Sequence, residues 1–405
     1  MIRSSPVSND DVKRHNLARV LRYLHEDGEL SRSELVARTG LNRSTVGALV
    51  SDLVVTGIVE EVPGSGGSVG RPSLVVRTRE SSAFVIAFDL KVDRIVGAAI
   101  SIGGRVLAQA ERPKSDGPFA VSKATEVLVE CTSELFDQVP NGSAWVGVGI
   151  AIPGVIDTEI GLVRKAPNLG WLDVDFEQHI TRELNEVFGA TPRVILGNDA
   201  NLGAIAEFVR GAGRNASSVV YLSGDVGVGG GVALEGRVLS GASGYAGEIG
   251  HMVVNPGGHA CNCGNTGCWE TEVGRDAILR AAGNASPFGG ISDAVAAANG
   301  GDTKVLEGLK AIGAWMGIGL SNLVNTFDPD VIVLGGHLAD VYPTVRDEVI
   351  QQITKSRPFF ETRARITLPS FEIGSTLVGA SEIAFAALMS DPLTEMDRSL
   401  ALSAS

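Results

Sequence analysis

The sequence predicts an α/β protein that begins with a winged helix-turn-helix. Residues 31–53 contain two short amphipathic segments separated by a glycine-containing turn, and two β-type segments joined by a loop follow them. From residue 82 onward, β-type and amphipathic helical segments alternate, which is typical of α/β domains. The charges divide at the same place, with 11 Lys/Arg and 9 Asp/Glu in residues 1–79 against 23 and 38 in the remainder. A slightly basic head and an acidic body indicate two parts with different roles.

Composition limits the class of protein. A chain of 405 residues, 44% of them hydrophobic, is long enough for two or three domains with their own cores. Its apolar runs are interrupted by Gly or Asp before they reach membrane-spanning length, and the mean hydropathy is only +0.17. The amino end is polar and does not resemble a signal peptide. We therefore expect a soluble, cytoplasmic protein without a membrane partner. The net charge of −13 argues against nucleic acid covering the whole chain.

The first of the two short helices begins at a predicted capping box. Ser31 and Glu34 are three residues apart, so each side chain can accept a hydrogen bond from the backbone N–H of the other. Gly40 is expected to end this helix, and Asn42 to cap the next one. Two short helices joined by so tight a turn form the helix-turn-helix pattern of DNA-binding proteins.

The second helix of this pair is predicted to contact DNA. Its outward face includes Arg43, Ser44 and Gly47. The two β-type segments after it form a hairpin wing, with Arg71 in a Gly-Arg-Pro tip that can enter a narrow minor groove. We therefore predict a DNA-binding domain over residues 1–80. The alternative is a small helical dimerisation module followed by a flexible linker.

Three of the four cysteines lie within eight residues, at Cys261, Cys263 and Cys268. Disulfides are rare in a reducing cytoplasm, and this spacing suits a tetrahedral site for a soft metal ion. His251 or His259 would supply the fourth ligand, which closes the site and makes the zinc structural. The alternatives are unligated thiols or a redox pair.

Other features of the body have plain structural interpretations. Cys131 lies on the apolar side of a predicted helix and is expected in the core. Asn198 and Asp199 follow the apolar segment RVIL, where, taken alone, they would cap a helix. Residues 391–405 lack turn and packing signals, so we expect a disordered tail.

Spaced motifs in the body resemble those of the ROK family (repressors, open reading frames and sugar kinases). They occur in the family's order, GIAIPGVID, APNLGW, GNDAN, GYAGEIGH, HMVVNPGGHACNCGNTGCWE and DPDVIVLGG, and the resemblance covers essentially residues 82–390. The resemblance implies an actin/hexokinase-like (ribonuclease H-like) fold with a sugar cleft between two lobes, residues 81–197 with 376–390 and residues 198–375. It also assigns His251, rather than His259, to the zinc.

The resemblance further implies which residues bind a sugar. In ROK kinases the sugar hydroxyls are held by residues that match five positions of this chain: Asn198, Asp199, Glu248, His251 and Glu270. Carboxylates and amides are suitable partners for vicinal hydroxyl groups. His251 can bind zinc through one ring nitrogen and a sugar hydroxyl through the other.

The same resemblance argues against phosphorylation. ROK kinases bring backbone N–H groups close to ATP phosphates with Gly-Gly-Thr, where this chain has Lys91, Val92 and Asp93. In the second phosphate loop, Asp225 and Val226 replace Gly and Thr. Side chains in both loops disfavour ATP binding, so we predict that the protein is not an enzyme.

These observations together predict a sugar-responsive transcriptional repressor. It would bind a palindromic operator as a homodimer or homotetramer and sense a sugar or sugar derivative in the kinase-like cleft. The alternatives are a sugar kinase fused to a helix-turn-helix and a metalloprotein scaffold without a ligand.

Overall fold

The computed structural model describes residues 8–64, 74–114, 117–190, 192–283, 290–356 and 363–403. Contacts divide the chain into two compact units, Met1–Asn198 with Ala380–Ser405 and Asp199–Gly379. The lobe boundaries that the resemblance implies lie one and four residues from these divisions. Across the described part of the chain, none of the helices is long and apolar enough to cross a membrane.

Three helices and a three-stranded sheet form the head, which lies in the first unit. In chain order the elements are α1 (Asn9–Asp27), β1 (Leu30–Ser31), α2 (Arg32–Thr39), α3 (Arg43–Val55), β2 (Val59–Pro63) and β3 (Leu74–Thr78). The sheet is antiparallel, with strand order β1-β3-β2. The apolar sides of the helices form a small buried core: Leu17, Val20, Leu21, Leu24, Leu35, Val46, Leu49, Val50 and Leu53. The predicted winged helix-turn-helix is confirmed.

The helix caps of the head are those that the sequence predicts. The Ser31 N–H donates to Glu34 Oε2 at 2.7 Å, and the Glu34 N–H donates to Ser31 Oγ at 3.2 Å. Gly40 follows α2 in the left-handed region, with a φ of 69° that favours glycine. Asn42 Oδ1 accepts a hydrogen bond from the Thr45 N–H at 2.8 Å and so begins α3. These caps set the tight turn that separates the two helices.

The rest of the first unit surrounds a mixed five-stranded sheet. Its elements in chain order are β4 (Ala83–Leu90), β5 (Arg94–Ser101), β6 (Val106–Pro113), α4 (Val121–Phe136), β7 (Ala144–Ile152), β8 (Val155–Asp157), β9 (Leu162–Ala166), β10 (Trp171–Val174), α5 (Phe176–Phe188) and β11 (Val194–Asn198). The five-stranded sheet has the strand order β11-β7-β4-β5-β6, and a separate three-stranded sheet has the order β10-β9-β8. Buried aromatic residues and Cys131 fill the core between the five-stranded sheet and the helices α4 and α5, which confirms the expectation for that cysteine.

The second unit is built on another five-stranded sheet, with strand order β14-β13-β12-β15-β16. Both faces of this sheet are covered, because separate apolar clusters involve alternate residues of β12. The elements are α6 (Asp199–Val209), β12 (Ser218–Gly224), β13 (Val228–Leu234), β14 (Arg237–Val238), α7 (Trp269–Val273), α8 (Arg275–Ala281), α9 (Ile291–Asn299), α10 (Thr303–Phe327), β15 (Val331–Gly336), α11 (His337–Ser356) and β16 (Arg365–Thr367).

Two helices complete the chain, α12 (Ser375–Phe385) and α13 (Pro392–Ser403). The prediction of a disordered tail from residue 391 was wrong for the residues in α13. Pro392 occupies the first helical position, where its missing N–H costs nothing. Met396 and Ser399, each 2% exposed, lie on the same buried side of the helix, which packs against β7. A proline and a serine on the buried side hide the apolar periodicity of this segment.

Candidate functional site

The exposed side of α3 is the first candidate surface. Arg43 and Ser44 lie in its first turn and are exposed. Asn42 orders this turn, because its Oδ1 accepts hydrogen bonds from Ser44 Oγ at 2.7 Å and from the Thr45 N–H at 2.8 Å. The structure therefore places two of the predicted DNA-contacting residues together at the amino end of a capped helix. A helix end of this kind presents N–H groups and basic side chains to phosphates.

Gly47 is half-buried, unlike its two neighbours in the prediction. A Cβ atom at this position would lie 3.3 Å from Nη1 of Arg32, whose guanidinium covers it. Arg32 is held in turn by Glu61 of β2, with Nε to Oε1 at 2.7 Å and Nη2 to Oε2 at 2.8 Å. The sequence did not indicate a role for this arginine, since no local pattern connects it to the wing. Arg71 lies outside the described residues.

The predicted metal ligands form one cluster in the second unit. One donor atom from each of the four residues His251, Cys261, Cys263 and Cys268 lies within 4.8 Å of all the others. His251 Nδ1 is 3.6 Å from Cys261 Sγ, and Cys263 Sγ is 3.6 Å from Cys268 Sγ. Ligands around a tetrahedral zinc ion are about 3.5–3.8 Å apart, given Zn–N of about 2.0 Å and Zn–S of about 2.3 Å. The donor set therefore fits zinc, and these two pairs of donor atoms have the spacing of a tetrahedral site.

The thiols of this cluster differ in how readily they ionise. Burial raises the pKa of Cys261 and of Cys268 above the ordinary value for a thiol. A hydrogen bond from the backbone of Asn265 lowers the pKa of Cys263. A metal ion bound by these thiols would favour their thiolate forms and displace their protons.

Two carboxylates flank the imidazole of His251. Glu248 Oε2 is 3.8 Å from Nε2, and Glu270 Oε1 is 3.4 Å from Nδ1. Glu270 Oε1 also lies 2.9 Å from Cys261 Sγ. The structure thus brings together three of the five predicted sugar-binding residues. Nδ1 is the ring nitrogen that faces the cysteines, so Nε2 and Glu248 remain on the other side for a ligand.

The glycines of β13 allow other elements to approach on both faces of this strand. A Cβ on Gly231 would lie 2.2 Å from the backbone oxygen of Ala200, at the start of α6. A Cβ on Gly230 would lie 2.4 Å from the side chain of Ile249, beside His251. Side chains at these positions would push both elements away from the sheet.

Asn198 and Asp199 occupy the junction between β11 and α6 and are half-buried. Asn198 Nδ2 donates to the backbone oxygen of Gly154 at 3.0 Å, which fixes the amide within the first unit. Asp199 is the first residue of α6, where a carboxylate interacts favourably with the helix dipole. His259, the competing metal ligand, is exposed and is not part of the cluster found among the described residues.

Residues 85–387 match the ROK family and residues 16–67 match the MarR family. The chain belongs to the ROK family. It is 30% identical to the xylose repressor of Bacillus subtilis (strain 168) over 344 residues, which cover 85% of this chain and 87% of that protein. It is also 30% identical to a glucokinase of Halalkalibacterium halodurans over 289 residues, which cover 67% of this chain and 85% of the glucokinase.

A solved structure resembles both parts of the chain. It is described as a ROK family transcriptional regulator, a homologue of the E. coli MLC protein. The TM-score is 0.76 at 23% identity, and the match covers 96% of this chain and 99% of that one. This likeness confirms the predicted fold class, a winged helix-turn-helix followed by a ROK domain.

Within this family, the two loops that approach phosphates in the kinases carry side chains here. Lys91 Nζ lies 3.6 Å from the carboxylate of Asp89, at the end of β4. In the second loop the Asp225 N–H donates to the Gly227 oxygen at 3.1 Å. A Cβ on Gly227 would lie 2.4 Å from Glu270 Oε2. The Glu270 carboxylate thus borders the second loop, where its negative charge disfavours a triphosphate.

Proposed function

We propose that this ROK protein is a sugar-responsive transcriptional repressor. Its head binds operator DNA with α3 in the major groove and with Arg71 of the wing in the minor groove. The observation that carries the proposal is that one chain combines an exposed, capped α3 on a winged helix-turn-helix with two carboxylates gathered around the imidazole of His251. The first feature suits DNA, and the second suits a polyhydroxylated ligand.

The sugar is held by the five residues that match the family's motifs: Asn198, Asp199, Glu248, His251 and Glu270. Carboxylates accept hydrogen bonds from hydroxyl groups, and an amide both donates and accepts. Charge-assisted bonds of this kind also fix the orientation of the ligand. D-xylose is the first candidate effector, because the similar protein of Bacillus subtilis is named a xylose repressor.

Zinc has a structural role in this proposal. Its ligands are His251 through Nδ1 and the three clustered cysteines, and four protein ligands leave no open position for catalysis. With zinc bound at Nδ1, the imidazole would be held with Nε2 towards Glu248, and the sugar would meet a rigid contact. The support is the donor set and the 3.6 Å spacings between donor atoms.

The protein acts as a homodimer or homotetramer in the cytoplasm. One recognition helix reads only a few base pairs, so specificity requires two heads on a palindromic operator.

A kinase is the second candidate, because the glucokinase of Halalkalibacterium halodurans is also 30% identical. Lys91 beside Asp89 and the Glu270 carboxylate beside Gly227 argue against it. Both proposals are tested with one set of sugars. An operator is first selected from a random-sequence duplex library, and its affinity is then measured with and without D-xylose, D-glucose or N-acetylglucosamine. We expect one sugar to weaken operator binding by about 5- to 150-fold. Sustained ADP release with any of these sugars would instead identify a kinase.

A further inference from the structure

Helix α12 contacts the candidate sugar site at its beginning. Thr376 Oγ1 donates to the backbone oxygen of Asp199 at 3.3 Å. Ser375 Oγ donates to Glu207 Oε1 at 2.6 Å, and Glu207, on α6, is fully buried. The Ser370 N–H donates to the same carboxylate oxygen at 2.9 Å. Hydrogen bonds therefore join the first turn of α12 to both the start and the later part of α6.

The last turns of the same helix contact the DNA-binding head. Glu382 Oε2 lies 3.2 Å from Nε2 of His25, a residue of α1 whose side chain is 1% exposed. The ring of Phe385 packs against the same imidazole, edge to face, with 5.0 Å between the ring centroids. The Gly103 N–H, in the turn between β5 and β6, donates to Nδ1 of His25 at 3.0 Å.

These contacts determine the form of His25. A backbone N–H can only donate, so Nδ1 accepts and the imidazole proton lies on Nε2. Nε2–H then donates to Glu382. Both ring nitrogens are used in a site closed to solvent, and one of the two partners is a residue of α12. The position of the head's first helix is thereby tied to the position of α12.

Neighbouring glycines leave α12 little freedom to move independently of the elements beneath it. A Cβ on Gly149 of β7 would lie 1.9 Å from the Ala380 oxygen, and a Cβ on Gly147 would lie 2.4 Å from the Ala384 oxygen. On α12 itself, a Cβ on Gly379 would lie 1.9 Å from the Leu202 oxygen. At each of these three glycines, the backbone of α12 lies directly against the backbone of the neighbouring strand or helix. Close backbone contacts therefore join the start of α12 to α6 and the later part of α12 to β7.

We propose that α12 transmits the state of the sugar site to the DNA-binding head, and that the hydrogen bond from His25 to Glu382 is the contact that carries the signal. This inference rests on the proposed function. The first five residues of α12 belong to the second unit and the last six to the first. His25 and Glu382 are positioning residues, which touch neither sugar nor DNA. A sugar that binds Asp199 alters the start of α12, and the head responds at the other end of the same helix.

The test compares four forms of the full chain: the parent, Glu382→Ala, Glu382→Gln and a control variant. Calorimetry gives the affinity for D-xylose, and mass spectrometry gives the amide hydrogen exchange of α1 with and without D-xylose. In the parent we expect xylose to change exchange in α1 by about fivefold or more, the lower end of typical coupling. Glu382→Ala should bind xylose with unchanged affinity but lose this response. Glu382→Gln should keep it, because the amide oxygen still accepts from Nε2–H. Glu134→Ala, which removes a surface carboxylate from α4, is the matched control and should behave like the parent.

A full response in Glu382→Ala would overturn the proposal, and so would loss of xylose binding in that variant, which would indicate a merely structural role. Failure of the parent to bind xylose would count against the proposed effector. A second experiment needs no sugar and therefore tests the relay separately. Thr376→Val removes the contact with Asp199 and should change exchange in α1 of the parent but not in the Glu382→Ala background. Equal changes in both backgrounds would contradict a path through Glu382.

Discussion

Arg32 holds Glu61 by two parallel hydrogen bonds, Nε to Oε1 at 2.7 Å and Nη2 to Oε2 at 2.8 Å. The pair joins the first residue of α2 to strand β2 of the wing. The same guanidinium covers Gly47 on α3. One side chain therefore fixes the wing relative to the helix that is expected to read the operator.

Replacing Glu61 with Ala should weaken operator binding because the wing loses this connection. An exposed ion pair contributes about 0.2–1 kcal/mol, so the loss should reach about fivefold at most. Fluorescence anisotropy with labelled operator measures it. Glu60→Ala is the matched control, because Glu60 pairs with Arg77 within the hairpin and not with α2. Equal losses in the two variants would mean that the Arg32 contact has no special part in DNA binding.

Arg43 and Arg71 are expected to contact the DNA backbone and the minor groove, respectively. Arg43→Ala should lower operator affinity and reduce the slope of log K against log salt by about 0.9, the value for one phosphate contact. Arg71→Ala should weaken A·T-rich operators most, because their narrow minor groove attracts arginine. Lys304→Ala, an exposed change on α10, is the control for net charge. Unchanged affinity in both arginine variants would refute the assignment of DNA contacts.

Metal analysis should distinguish the two histidines that sequence spacing alone leaves open. Protein purified without added zinc should contain about one zinc ion per chain, as a four-ligand site requires. His251→Ala and Cys263→Ser should lose the metal and melt at a lower temperature, since structural zinc contributes to folding. His259→Ala should retain it, because His259 is exposed and outside the cluster. Zinc retained in His251→Ala and lost in His259→Ala would reverse the assignment.

Features formed by neighbouring residues could be predicted from the sequence, whereas contacts between distant residues could not. The capping box of Ser31 and Glu34 and the closely spaced cysteines are features of a few neighbouring residues, and the structure contains both. The partnership of His25 with Glu382 spans 357 positions. No periodicity reveals which carboxylate a core-facing histidine will meet, because that depends on how the whole chain folds. Helix α13 was missed for a local reason, since Pro392 and Ser399 on its buried side carry no hydrophobic signal.

Cys131 should be unreactive in the native protein. Burial raises the pKa of its thiol to about 11, so the thiol stays protonated at pH 8 and only about 1 in 1,000 groups is the reactive thiolate. An ordinary thiol with a pKa of about 8.5 is about one quarter ionised at that pH. Alkylation of Cys131 by iodoacetamide, followed by peptide mass spectrometry, should therefore be at least about 100-fold slower than that of a small thiol. Unfolding in guanidinium should restore the ordinary rate. Rapid labelling of the native protein would show that the site opens readily to solvent.

The sugar-binding residues provide the most direct test of the repressor hypothesis. Asp199→Ala and Glu248→Ala each remove a carboxylate that accepts hydrogen bonds from hydroxyl groups. A hydrogen bond to a charged group contributes about 1.5–3 kcal/mol, so each variant should bind the sugar about 10- to 150-fold more weakly. Operator affinity without sugar should stay at the parent value, because neither residue belongs to the head. Glu307→Ala, an exposed change on α10, is the control and should alter neither affinity.

Coupling between two ligands is reciprocal, so saturating operator should weaken sugar binding to the parent by the same factor that sugar weakens operator binding. Calorimetric titrations of sugar with and without operator, together with titrations of operator without sugar, measure all of these quantities in the parent and the three variants. A parent-like sugar response in both Asp199→Ala and Glu248→Ala would place the effector elsewhere in the protein.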